Sequence, residues 1–161
     1  MRHLILLRHA KSSWTDHTLS DYDRPLNERG IRDAPVMAKR LSMSSPKPSL
    51  VICSPSKRTT ETLHFFLPSL KLDLENVRFE KALYEAGMQD LVSILENLPD
   101  SEESVLIIGH NPGLSILVDY YTGNELDMPT CGYAEITFQI DSWSELSRNT
   151  GLLISFEYPK K

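Results

Sequence analysis

The chain has 161 residues, 40% of them hydrophobic and 24% charged, which fits one domain, residues 1–161, large enough to bury a core without staples. Seventeen Lys and Arg against 22 Asp and Glu leave a net charge of −5, which argues against a protein held mainly by nucleic-acid phosphates. Two Cys make no disulfide scaffold, and no apolar run approaches the ~18 residues of a membrane span, so a cytoplasmic protein away from membranes is expected.

Short continuous apolar runs bounded by polar turns suggest strands buried on both faces of a parallel sheet. His3–Leu7 is the first, too short for a signal-peptide core. Asn27 then caps a helix whose apolar stripe is Ile31, Ala34, Met37, Ala38 and Leu41. Ser44–Ser49 has a linker-like composition but is short enough to be a simple connection. Leu50–Cys53 is the second strand, and Ser54-Pro55 opens the next helix, a capping hydroxyl followed by Pro at the first position. Leu63, Phe66 and Leu67 would face its core. Val77–Glu80 is a weaker third strand, and Leu91, Ile94, Leu95 and Leu98 form a third helical stripe. Val105–Ile108 is the clearest strand and is followed by the stripe Leu114, Leu117, Val118 and Tyr121. Tyr133–Ile140 and Leu152–Tyr158, parted by a polar stretch, read as two antiparallel strands at a sheet edge. The order implies an α/β three-layer sandwich, a mostly parallel central sheet flanked by helices, with right-handed crossovers.

In open parallel sheets, ligands bind beyond the carboxyl ends of the strands. Those ends carry Arg8-His9, then Ser54-Pro55-Ser56-Lys57-Arg58, then Tyr84-Glu85, then His110-Asn111-Pro112-Gly113. Asp21-Tyr22-Asp23-Arg24-Pro25 lies in the loop before the first helix. Two histidines and three arginines thus converge on one rim, and that combination suggests phosphoryl transfer. Arginine forks match phosphate oxygens and neutralise the charge that a transferring phosphoryl group spreads over them. Helix N-termini following Ser54 and Asn111 would add backbone donors, and a neutral histidine can attack phosphorus to give a covalent phosphoenzyme. No His-Glu-x-x-His spacing or paired-Cys pattern is present, so neither a metal nor a cofactor is called for. Cys53 is followed by Arg58 with four residues between, one short of the Cys-x5-Arg loop of tyrosine phosphatases, and Pro55 removes a backbone donor. Cys53 therefore reads as a packing residue.

The same residues resemble a known family. Leu7-Arg8-His9-Ala10 is similar to the Arg-His-Gly signature of the histidine phosphatase (phosphoglycerate mutase-like) superfamily, with Ala10 in place of Gly. Ser54-Pro55-Ser56-Lys57-Arg58 with Thr62 is similar to its Ser-Pro-x-x-Arg-x-x-x-Thr segment, and Gly109-His110 to its second-histidine motif. Arg24-Pro25-Leu26 with Gly30 looks like the Arg-Pro-Leu-x-x-x-Gly element of the SixA-type phosphohistidine phosphatase branch. The resemblance implies that His9 is the nucleophile, that Arg8, Arg24 and Arg58 bind the phosphoryl group, and that His110 stabilises it in transfer. Larger members place a Glu after the third strand as proton donor. Glu85 is the candidate here, with Ala82 at that place in alternative alignments.

The expected activity is that of a metal-independent phosphatase, most simply one that removes phosphate from phosphohistidine in proteins. P–N bonds need little help from a general acid, and a short stretch between the second helix and the Leu91 stripe leaves the site open to a protein surface. A phosphatase or mutase on a small phosphorylated metabolite, and a non-catalytic phosphate-binding module, are the alternatives. Arg24 could instead pair with Asp21 or Asp23, and Glu85 could be an ordinary exposed acid. Lys11 and Ser12 read as turn residues outside the site, and His3, His17 and His64 as structural or solvent-exposed.

Overall fold

The computed structural model describes residues 1–44 and 46–161. Among them are six strands: β1 Arg2–Arg8, β2 Leu50–Cys53, β3 Val77–Phe79, β4 Ser104–Gly109, β5 Tyr133–Phe138 and β6 Gly151–Glu157. They form one sheet in the order β3-β2-β4-β1-β5-β6. The β3-β2-β4-β1 part is parallel, while β5 pairs antiparallel with both β1 and β6. Strands β2 and β4 are buried throughout, which is why they read as continuous apolar runs rather than alternating ones.

Helices α1 Glu28–Ser42 and α2 Lys57–Leu70 cover one face of the sheet, and α3 Met88–Glu96 and α4 Gly113–Thr122 lie on the other. The split follows the period-two alternation of the strands. Ile5, Leu7, Val51, Leu106 and Ile108 pack with Met37, Leu41, Leu63 and Phe66, whereas Leu4, Leu6, Ile52, Val105 and Ile107 pack with Leu91, Leu95, Leu117 and Tyr121. This is the expected α/β three-layer sandwich. No helix among the described residues is long and apolar enough to cross a membrane.

Three local expectations are corrected. Ile31 is 52% exposed, and Gly30 takes the buried position instead. Here α1 passes so close to the loop after β1 that a Cβ on Gly30 would lie 2.2 Å from the Lys11 carbonyl oxygen. Asn27 anchors that approach, donating its N–H to Lys11 O at 2.9 Å while its side chain caps Gly30 N at 2.9 Å. The second helix starts at Lys57 rather than at Pro55, with Ser56 as the flanking residue, because Ser54 has a long-range partner described below. Strand β5 ends at Phe138, two residues before Ile140. The stretch 44–49 joins α1 to β2, with Ser45 outside the described residues.

Candidate active site

The register of the sheet brings the two histidines together. Arg8, the last residue of β1, pairs with Gly109, the last of β4, so His9 and His110 leave neighbouring parallel strands side by side. Their ring centroids are 5.4 Å apart. Strand β2 flanks β4 on its other side, and Arg58 in the first turn of the following helix reaches across to both rings. His9 is fixed by its backbone, its N–H bonded to Gly109 O at 3.2 Å and its carbonyl accepting from Cys131 N at 2.9 Å.

Hydrogen bonds assign the tautomer of each ring. His9 Nδ1 lies 2.7 Å from Ala10 O, an acceptor only, so Nδ1 carries the proton. Its Nε2 accepts from Arg58 Nε at 3.3 Å and therefore holds the lone pair. His110 Nδ1 faces Arg58 Nη2 at 3.4 Å, an obligate donor, which leaves the His110 proton on Nε2, 2.8 Å from Ser54 Oγ. Burial, reinforced by the positive charges of Arg58, His110 and Arg8, pushes His9 down to about 3, against the bond to Ala10 O. Burial and Arg58 push His110 to about 4, partly offset by Asp21. Both rings are neutral near pH 7.

Asp21 ties the arginines together from a short turn, Asp21–Asp23, in the loop before α1. Its Oδ2 accepts from Arg58 Nη2 at 3.1 Å and from the Tyr84 hydroxyl at 2.6 Å, and its Oδ1 accepts from Arg24 Nη1 at 2.9 Å. Arg58 Nη1 also donates to the Asp21 carbonyl at 2.7 Å. The Tyr84 hydrogen bond, with Arg24 and Arg58 behind it, lowers the Asp21 carboxyl to about 2. Arg24 is fixed further by Ser13 O at 2.9 Å and Ser12 Oγ at 2.6 Å, and its guanidinium stacks 3.1 Å from the centre of the Trp14 ring. Arg8 Nη1 donates to Met128 O at 2.9 Å, while its buried Nε has no partner among the described residues.

His9, Arg8, Arg58, His110 and Arg24 thus line one cavity of about 190 Å³, together with Lys11, Ser12, Trp14, Asn111 and Thr130. Lys11 and Ser12, read as turn residues, belong to its wall. Arg24 pairs with Asp21 and also lines the cavity, so the ion pair does not take it out of the site. Glu85 stands apart. It is exposed, has a left-handed backbone (φ 55°), and lines a neighbouring cavity that shares His110 and Asn111. The start of α2 contributes Arg58 to the wall, whereas Pro55 and Lys57 line a separate hollow. Sequence reasoning offered the Asp21–Arg24 pair but did not place Ser54 or Tyr84 in this network, nor join Asp21 to Arg58. The Ser54–His110, Asp21–Arg58 and Tyr84–Asp21 partners lie 56, 37 and 63 residues apart, beyond any local signal.

Cys53 is fully buried, and burial pushes its thiol up, as suits a packing residue. His3 is buried between Ser104 Oγ at 2.8 Å and Glu135 Oε1 at 3.2 Å, and His17 and His64 are exposed. Among the described residues, no three His, Cys, Asp or Glu side chains gather as a metal would need.

Residues 4–97 match the family model of the histidine phosphatase superfamily (branch 1), and the chain belongs to that superfamily. It is a phosphatase working through a histidine, on a phosphorylated substrate. It is 35% identical over 153 residues to an uncharacterized chloroplastic protein of Arabidopsis thaliana, covering 89% of this chain and 70% of that one. An uncharacterized protein of Mycobacterium tuberculosis is 27% identical over 165 residues, which span 96% of this chain and 100% of that one. Among solved structures, SixA from Agrobacterium tumefaciens superposes with a TM-score of 0.83 at 25% identity over 98% of each chain. The protein histidine phosphatase SixA complexed with tungstate gives 0.83 at 22% identity, over 98% of this chain and 97% of that one. The fold is therefore phosphoglycerate mutase-like, and the chain falls in the SixA-like branch.

Proposed function

We propose that residues 1–161 act as a single histidine phosphatase domain that removes phosphate from phosphohistidine in proteins, with His9 as the nucleophile. The observation that carries this reading is the state of His9: a neutral ring with its proton held at Nδ1 and its lone pair at Nε2. The charge of the site supports it. Arg8, Arg24, Arg58 and Lys11 line the cavity and only Asp21 offsets them, which leaves a positive surplus suited to a phosphoryl dianion. The arginines then supply the electrostatic stabilisation that metal ions provide in other phosphoryl transfers.

In the first step the phosphoryl oxygens draw the Arg58 Nε–H away from His9 and engage the unpartnered Arg8 Nε–H. His9 Nε2 attacks phosphorus in line as the P–N bond of the substrate breaks, and the departing imidazole takes a proton from solvent. His110 faces the same oxygens and takes up a proton as the dianion arrives. In the second step water attacks phosphorus, the His9 Nε2–P bond breaks, inorganic phosphate leaves with the neutral His9 ring restored, and His110 returns its proton to solvent.

The reading places the protein in the cytoplasm. The test is a panel of a phosphohistidine peptide, phosphosugars and an aryl phosphate, run in excess chelator. Preferential turnover of the peptide, lost in His9→Ala while the fold survives, is the expected result. A preference for phosphosugars would transfer the assignment to a small metabolite, and full activity of His9→Ala would sink the mechanism.

A further inference from the structure

The cavity that holds Glu85 has no role in the scheme above. It measures about 240 Å³ and adjoins the phosphate cavity through His110 and Asn111, which line both. Its walls are otherwise apolar, with Leu83, Ala86, Leu91 and Pro112. Gly113 keeps it open: a Cβ there would stand 3.0 Å from Leu91 Cδ1 and 3.6 Å from Ala86 O. Glu85 makes no hydrogen bond or ion pair with the described residues, although its backbone sits at φ 55°, a conformation costly for a residue with a side chain. Strain of this kind persists where the surroundings impose it, and here it sets an uncommitted carboxylate at the edge of an apolar hollow beside the phosphate site.

We propose that this second cavity is the leaving-group subsite, and that Glu85 makes it selective for an apolar ring with a hydrogen-bond-donating or cationic edge, the imidazole of phosphohistidine. The inference rests on the phosphatase reading above and deepens it. A substrate whose phosphoryl group sits among the arginines next to His9 has its leaving group directed past His110, which with Asn111 lines both cavities. The volume suits a single ring or a short side chain rather than a large ligand. The charge pattern is dipolar, with Arg8, Arg24 and Arg58 on the phosphoryl side and Glu85 on the other. Leaving groups carrying a carboxylate or a second phosphate meet a like charge there and are disfavoured. Glu85 acts as a specificity-determining residue in this scheme, recognising what departs.

Three substrates separate subsite from chemistry: a phosphohistidine peptide, phosphoramidate, whose P–N bond releases only ammonia and leaves the cavity empty, and phosphoglycolate, whose leaving alcohol carries a carboxylate. The reading is the ratio of kcat/KM values within each variant, which cancels any shared change in the fraction folded. In Glu85→Gln and in Ala86→Leu, the peptide-to-phosphoramidate ratio should fall by about five- to tenfold, the size of one lost polar contact or one filled pocket. In Glu85→Lys, the phosphoglycolate-to-phosphoramidate ratio should rise by a similar factor. Ratios within about twofold of wild type in all three variants would overturn the subsite while leaving the phosphatase reading intact. Equal loss on both P–N substrates would also overturn it, because Glu85 would then serve the chemistry common to both. Wild-type protein inert toward all three substrates would overturn the phosphohistidine reading and this inference with it.

Discussion

Replacing Asp21 with Asn preserves the size of the side chain and removes the negative charge that Arg24 and Arg58 share. Three side-chain hydrogen bonds end on this carboxylate, from Arg58 at 3.1 Å, Arg24 at 2.9 Å and Tyr84 at 2.6 Å. Buried charge-assisted bonds are worth about 1.5–3 kcal/mol each. The Asp21 side chain is 46% exposed, however, so solvent reduces each to about 0.5–1 kcal/mol. Asn keeps one acceptor oxygen, so the net loss of arginine positioning comes to about 1–2 kcal/mol, which lowers kcat by about 5- to 30-fold. Affinity for an anion moves the other way. Two unit charges 4 Å apart interact by about 1 kcal/mol in water and about 4 kcal/mol at a protein surface, and exposure puts Asp21 at the low end, so inorganic phosphate should bind about fivefold more tightly. The assay is steady-state hydrolysis of an aryl phosphate with inorganic phosphate as competitive inhibitor, at pH 7 and low salt. A fall in kcat accompanied by a fall in Ki is the signature of a carboxylate that both orients the arginines and competes for them. A rise in Ki would show that Asp21 only scaffolds the pocket, and no change in either constant would refute the reasoning.

The histidines give a pH dependence of definite sign. Their folded-state values, about 3 for His9 and about 4 for His110, lie below the usual 6.5 of an unfolded chain, so the unfolded state binds more protons between those limits. Stability from this source is complete above pH 6.5 and is lost progressively as the pH falls toward 3–4. Thermal melts across that range should show the decline, and the double variant His9→Gln, His110→Gln should flatten it. A slope unchanged in that variant would contradict the assignment. For the same reason, the acid limb of kcat/KM, with the ionisation of the substrate divided out, should fall below pH 5, and a limb centred at 6.5 would show ordinary histidines. Gly30→Ala should cost about 2–4 kcal/mol, because its Cβ would stand 2.2 Å from a backbone oxygen that cannot swing away. A melting temperature unchanged in Gly30→Ala would show that α1 can move off the Lys11 loop freely.

The main elements were legible in the sequence because their signals are local. Ile5, Leu106 and their neighbours sit on strands buried from both sides, and such strands must be apolar along their length. Arg8, His9 and His110 stood out because they follow directly on those runs, and Arg58 because it opens the helix after one, where a parallel sheet presents its binding edge. Local rules failed where a residue answered to a distant one. Ser54-Pro55 looks like a helix start, but the Ser54 hydroxyl bonds His110, and the helix waits until Lys57. Ile31 fits a helical stripe, yet the contact between Gly30 and Lys11 sets the phase of α1 and turns Ile31 outward. Ser12 looks like a turn residue until Arg24, twelve positions on, is folded back against it. The place of Glu85 depends on the path of the chain after β3, a three-residue strand too short to fix a register by pattern alone.

The claim on which the rest depends is a phosphoryl group carried by His9. Brief incubation with a radiolabelled phosphodonor followed by denaturing quench tests it directly. The account predicts up to one label per chain, labile in acid and stable in base, mapping to the peptide that contains His9 and absent from His9→Ala. Label that survives acid, or label retained by His9→Ala, would contradict it.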